Sequence, residues 1–113
     1  MVYTARCLYK YLQTKTINMW EEVYKYVKTI PSGKVMTYGQ VAKALGIKDT
    51  RKIGWALHAN KSSDVPCHRV VNKEGRLAKN FAFDGEVEQQ RRLEAEGFVF
   101  EKDFYVDLAK YGI

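Results

Sequence analysis

The chain is poor in the groups that hold secreted or metal-stapled folds together. Its 113 residues include two cysteines, Cys7 and Cys67, and two histidines, His58 and His68. Two isolated thiols make no disulfide framework. No pair of these residues shows C-x₂-C or H-x₃₋₅-H spacing, so no metal is expected. No apolar run reaches transmembrane length, and no stretch has the basic, apolar and cleavage regions of a signal peptide. Internal repeats, low-complexity stretches and linkers are also lacking. These absences point to a reducing intracellular compartment, where a thiol stays available for chemistry, and to no membrane partner.

What is there describes one small domain. Hydrophobic residues make up 46%, which excludes wholesale disorder, and 113 residues suffice for a single modest core. The net charge of +6 and a pI near 9.3 favour a polyanionic partner, nucleic acid first. Residues 1–17 show no clean period and read as an arm of undecided structure; the domain is expected over 18–113.

From Asn18 onward the pattern sharpens. Asn18 is suited to cap a helix whose first turn carries Glu21 and Glu22, and Trp20, Val23, Tyr24, Val27 and Ile30 form one apolar face. Pro31, Ser32, Gly33 and Lys34 stop it, and Val35 and Met36 are extended. Thr37 and Gln40 form a capping box for a helix that carries Val41, Ala42, Ala44 and Leu45 and ends at Gly46. Asp49 or Thr50 caps another helix over about 51–60, with Ile53, Ala56 and Leu57 facing in and Arg51, Lys52 and His58 outside. Two short helices joined by a tight turn suggest a helix-turn-helix.

Beyond it, Val70, Val71 and Leu77 flank a hairpin-like turn at Asn72, Lys73, Glu74 and Gly75, in the manner of a wing. A polar helix over 86–96 is expected to bury Val87 and Leu93 and stop at Gly97. A last short hairpin is expected to pair 98–100 with 104–106. The fold class is thus mainly α: a winged helix-turn-helix-like single domain with short β hairpins.

Between helix-turn-helix and wing lies Val65-Pro66-Cys67-His68-Arg69-Val70-Val71. A cysteine beside a histidine, behind a proline and ahead of a β-branched pair, is either a buried structural residue or a thiol held rigid and made reactive. The residue types alone leave both open.

This stretch resembles the active-site motif of the O6-alkylguanine-DNA alkyltransferases. Ile30-Pro31-Ser32-Gly33-Lys34-Val35, Thr37-Tyr38-Gly39-Gln40-Val41-Ala42, Asn60 and Glu96-Gly97 fall where that family's DNA-binding domain has similar elements. The resemblance spans about 19–97 and lacks the family's separate amino-terminal domain. It implies a protein without cofactor that flips an alkylated guanine from double-stranded DNA, reads it from the minor groove and moves the alkyl group irreversibly to its own cysteine. Displacement at an alkyl carbon needs a thiolate, whereas a thiol of pKa ~8.5 is mostly protonated at neutral pH.

By the resemblance, Cys67 is the nucleophile, His68 takes its proton through a water, Glu96 orients the imidazole and Asn60 braces the turn. Arg51 fills the gap left by the extruded nucleotide, and Tyr38 crowds the target's 3′ phosphate. The DNA-binding set is Tyr38, Arg51, Lys52, Gly54 and Arg69. Without the resemblance, Glu96 reads as a solvated helix-end carboxylate, Arg51 as a helix-start arginine and Tyr38 as a core aromatic. A monomer in the bacterial cytoplasm with the nucleoid, or in a eukaryotic nucleus, is expected.

Two departures stand out. Trp55 follows Gly54 where the family favours small residues near the groove. After Gly75-Arg76-Leu77, the family's tyrosine, small hydroxyl residue and paired glycines are replaced by Ala78-Lys79-Asn80-Phe81-Ala82-Phe83-Asp84-Gly85. That stretch is more similar to the alkyltransferase-like proteins, which bind alkylated DNA without repairing it and carry tryptophan at the Cys67 position. The alternative function is therefore a non-catalytic lesion sensor that flags alkylated bases to nucleotide excision repair proteins. Phe81 or Phe83 in the pocket wall is expected to alter which alkyl groups fit.

Overall fold

A computed structural model describes residues 19–79, 81 and 85–113. The arm expected at 1–17, the Asn18 cap, and Asn80, Ala82, Phe83 and Asp84 lie outside the described residues. Helix α1 (Met19–Val27) buries Val23 and Val27, and two backbone turns beyond its end carry Ile30 into the same core. Strand β1 (Met36–Thr37) runs straight into α2 (Tyr38–Leu45). The capping box forms as expected: Gln40 N donates to Thr37 Oγ1 at 3.1 Å, and Thr37 N donates to Gln40 Oε1 at 2.8 Å. Gly46 ends α2 with φ +71°, the left-handed conformation a glycine adopts without steric penalty.

Helix α3 (Arg51–Ala59) completes the helix-turn-helix and buries Ile53, Ala56 and Leu57. Asp49, not Thr50, caps it: Asp49 Oδ1 accepts from Arg51 N at 3.1 Å, and Thr50 makes no side-chain cap bond. A 3₁₀ turn (Cys67–Arg69) leads into β2 (Val70–Val71), and α4 (Gly85–Ala95) and α5 (Leu108–Tyr111) follow. Among the described residues, no helix is long and apolar enough to cross a membrane.

The sheet differs from the expected hairpins. β1 and β2 pair in parallel, Met36 with Val70 and Thr37 with Val71. Successive strand residues point to opposite faces, and here the two faces feed two cores. Met36 and Val70 pack with Val27, Val41, Ile53 and Cys67, whereas Val35 and Val71 pack with Leu77, Leu93, Phe98 and Val106. A strand buried on both faces needs cover on each side, which a solvent-edged hairpin does not supply. The turn after Val71 does form, closed by Asn72 Oδ1, which accepts from Glu74 N and Arg76 N. Its outgoing limb, however, pairs with the carboxy-terminal segment, through an Arg76–Tyr105 bridge and a bond from Leu77 N to Phe104 O. Gly75 allows this approach, because a Cβ there would lie 2.2 Å from Val106 O.

The last hairpin is shorter than expected, a tight turn bridging Lys102 and Tyr105. Phe98 is drawn away from it into the second core, with its ring 4.2 Å from that of Tyr111. In α4, Leu93 is buried but Val87 is 67% exposed, and Gln89 takes the interior place. Six residues at about 100° each put Val87 well off the face of Leu93, whereas Gln89, one turn away, shares it.

Candidate functional site

Proline shapes the turn that holds the thiol. Pro66, at φ −78°, precedes the 3₁₀ turn, and Arg69 N donates back to Pro66 O at 3.0 Å. Cys67 is only 4% exposed and packs within the first core. Asn60, at the end of α3, braces it from behind. Its Nδ2 donates to Cys67 Sγ at 3.3 Å and to Ser62 O at 2.8 Å, while its Oδ1 accepts from Ser62 N. Burial pushes the thiol up to about 11, against smaller opposing effects of the Asn60 bond and the Arg92 charge. At neutral pH the resting group is therefore a thiol, and it needs a base to react.

His68 and Glu96 are joined: His68 Nε2 lies 2.5 Å from Glu96 Oε2. Glu96 also accepts from Arg69 Nε at 3.0 Å, Arg69 Nη2 at 2.8 Å and Gly33 N at 2.9 Å. Burial raises its pKa, but the Arg69, Gly33 and His68 bonds outweigh that and hold the carboxyl at about 2. Burial lowers the His68 pKa despite Glu96, so the neutral ring is favoured. With Nε2–H facing the carboxylate, the lone pair is on Nδ1, which is buried and has no partner. Arg69, expected on DNA, is turned inward instead, with Nη1 on Ile30 O at 2.8 Å. It ties Glu96 to the turn after α1.

The thiol forms part of the lining of a cavity of about 410 Å³. One wall is α3, through Arg51, Gly54, Trp55, Leu57 and His58, with Tyr38 from α2 beside it; the other is Ala78, Lys79 and Phe81. Tyr38, half-buried, is pushed up to about 12 by burial and by Cys67, so its hydroxyl keeps its proton. Trp55 is 54% exposed, so it packs outward rather than into the core. Arg51 lies 5.8 Å over its ring and pairs with Asp49, Nε to Oδ1 and Nη2 to Oδ2, both at 3.0 Å. Gly54 has nothing within 4 Å of where a Cβ would stand. A helical glycine costs ~1 kcal/mol relative to alanine, and here no protein contact requires it. Lys52, half-buried, does not line the cavity.

The structure thus brings Cys67, Tyr38, Arg51 and Gly54 to one cavity, with Asn60 bonded to the thiol behind it, and sets His68, Glu96 and Arg69 together as a linked group whose first member adjoins Cys67 in sequence. His58 and Leu57 were not expected at the cavity, nor Gln89 behind it, bonded to the thiol turn and to Ala78. For His58 the signal was present: residues 51, 54, 55 and 58 make one helical stripe. Among the described residues, no cluster of His, Cys, Asp and Glu could hold a metal ion.

The family model described as 6-O-methylguanine DNA methyltransferase, DNA binding domain, matches residues 18–98. Alkyltransferase-like protein 1 of Schizosaccharomyces pombe is 41% identical over 80 residues, covering 69% of this chain and 74% of that protein. The crystal structure of S. pombe Atl1 in complex with damaged DNA containing O6-carboxymethylguanine superposes with a TM-score of 0.73 at 35% identity, over 83% of this chain and 93% of that one. The crystal structure of Mycobacterium tuberculosis OGT in complex with DNA gives 0.65 at 32% identity, over 71% of this chain but 49% of that one.

Proposed function

The chain belongs to the family of the 6-O-methylguanine DNA methyltransferase DNA-binding domain, and from that premise we propose that it repairs alkylated DNA by moving the alkyl group of an O6-alkylguanine onto Cys67. The observation that carries this reading is that Cys67 lines a cavity of about 410 Å³, one wall of which carries the exposed Arg51, Trp55 and His58 of α3. Such a volume lies within the ~300–1,000 Å³ range of small-ligand pockets.

In this reading α3 enters the minor groove of duplex DNA. Gly54 lets the helix backbone approach closely, and Trp55 offers an exposed aromatic face to a base. Extruding the guanine costs a few kcal/mol. Arg51 is well placed to offset part of that, since its exposed pair with Asp49 is a weak tether. In the cavity the alkyl carbon faces Cys67 Sγ. A bond forms between sulfur and carbon as the carbon–O6 bond breaks. His68 takes the thiol proton through a bridging water at Nδ1, and the restored guanine needs one proton at N1, so the step balances without cofactor. Glu96, fixed by Arg69 and Gly33, holds the imidazole and stabilises the imidazolium. Asn60 donates to the sulfur and so favours its thiolate.

The test is the mass of the Cys67 peptide after incubation with duplex DNA carrying O6-methylguanine. A gain of one methyl group is expected; tight binding with unchanged mass would sink transfer. That second outcome corresponds to a lesion sensor that hands the site to nucleotide excision repair proteins. It is favoured by the similarity to alkyltransferase-like protein 1, by Phe81 in the cavity wall and by the high pKa of the thiol. Either activity belongs to a monomer in the compartment that holds the genome.

A further inference from the structure

Gln89 is the one polar side chain of α4 that is wholly enclosed, at 0% exposure. Its amide is fully used. Oε1 accepts from Ala78 N at 2.9 Å, and Nε2 donates to His68 O and to Val70 O, both at 3.1 Å. These three bonds join two segments that share no backbone hydrogen bond among the described residues: the thiol-bearing turn and the opposite cavity wall. From Ala78 the link continues, because Ala78 O accepts from Phe81 N at 3.2 Å, and Phe81 O accepts from Gly85 N at the start of α4. Burying an amide costs free energy unless every group is paired. The interior here would accept an apolar residue more readily, as it does at Leu93 on the same face.

We propose that Gln89 is a positioning residue that sets the gap between the Cys67 turn and the wall of Ala78, Lys79 and Phe81, and thereby the size of the adduct the cavity admits. The part concerning adducts rests on the reading of the cavity as the site of the flipped base. The part concerning the gap does not. The side chain spans the two walls as a strut of fixed length. Its donors hold carbonyls of the turn and its acceptor holds the wall, so neither wall shifts without breaking a buried bond.

The experiment compares the full chain with Gln89→Met, which keeps the volume but makes none of the three bonds. Cys67 is modified with methyl and benzyl methanethiosulfonate, and the Cys67 peptide is quantified by mass so that Cys7 does not interfere. The ratio of the two rates cancels the thiolate fraction. In Gln89→Met the benzyl-to-methyl ratio should rise by about fivefold, the size of one neutral hydrogen bond. The relative affinity for O6-benzylguanine over O6-methylguanine duplexes should move the same way. An unchanged ratio, or both rates rising together as global opening would make them, overturns the proposal.

Gln89→Glu is the complementary variant, since it keeps the Ala78 acceptor but turns an oxygen toward the two carbonyls of the thiol turn. Its ratio should also rise above that of the unsubstituted chain, and if Gln89→Met does not fold, an unshifted ratio in Gln89→Glu is equally decisive. In a Phe81→Ala background the wall that Gln89 places is already cut back, so the Gln89 effect should largely vanish; full additivity would count against the strut. If the unsubstituted chain discriminates no lesion at all, the repair reading fails while the thiol ratio still tests the gap.

Discussion

The two sides of the cavity are built in opposite ways. On the thiol side, Asn60 is bonded to the buried Cys67, and His68, Arg69 and Gly33 are all bonded to the half-buried Glu96. On the helix side, Arg51, Trp55 and His58 stand in solvent, and Gly54 leaves open space. Chemistry at an alkyl carbon demands atoms fixed before the substrate arrives, since reorganisation would add to the barrier. Recognition of a duplex demands the reverse, a surface whose contacts are completed by the partner. A substitution on the thiol side should therefore alter reactivity or lower stability, whereas one on the helix side should lower affinity without lowering stability.

The sharpest way to break that division is Cys67→Ala. Transfer should vanish by mass while lesion affinity in a gel-shift titration stays within about threefold, because flipping uses the other wall. Loss of both together would mean that the thiol side also holds the base. Next in size is Glu96→Gln, which should slow transfer by ~10²-fold or more by weakening the orientation and charge behind His68. It should also lower stability by about 1–3 kcal/mol, since Arg69 loses its carboxylate.

The same substitution has a signature in pH. The folded carboxyl is held at about 2 against an ordinary 4.5, so its contribution is present above pH 4.5 and lost as pH falls toward 2. The unsubstituted chain should lose melting temperature across that window, and Glu96→Gln should lose less. Equal acid slopes would show that Glu96 is not the group that titrates.

Arg51→Ala belongs to the helix side. Lesion affinity should fall by about tenfold, with an unchanged melting temperature, because its partner Asp49 is also near the surface. A fall in melting temperature would place Arg51 in the folded architecture instead. The smallest effect is expected from Gly54→Ala. No protein atom opposes the added methyl group, so the helix should gain up to ~1 kcal/mol. DNA affinity should drop several-fold if the backbone approaches a groove there, and a variant both stabler and equally tight would remove Gly54 from the interface.

Much of this was legible from the chain alone, and the legible part is local. Thr37 with Gln40, Gly46, Asp49 and Gly97 announce helix starts and stops, because each acts on backbone groups within a few residues. The apolar stripe of 53, 56 and 57 fixed which face of α3 is buried, and hence that Arg51 and His58 point outward. The juxtaposition of Pro66, Cys67 and His68 marked the site, and the ordered motifs from Ile30 to Gly97 marked the family.

Other features depended on pairings across long stretches of sequence, where local patterns carry no information. Val70 and Val71 looked like one limb of a hairpin, yet each enters a different core and pairs with β1. The Arg69 guanidinium is held by Glu96, which no local pattern around Arg69 announces. Gln89, in a helix of polar residues, gave no sign that it would be the one turned inward. Helix starts and stops, the charge and the position of the Cys67-His68 pair can be read along the chain, since they follow from short-range hydrogen bonding and residue type. Which walls face Cys67, and how Gln89 ties them, follows only from the folded arrangement, because a buried amide must pair with whatever groups the fold brings to it.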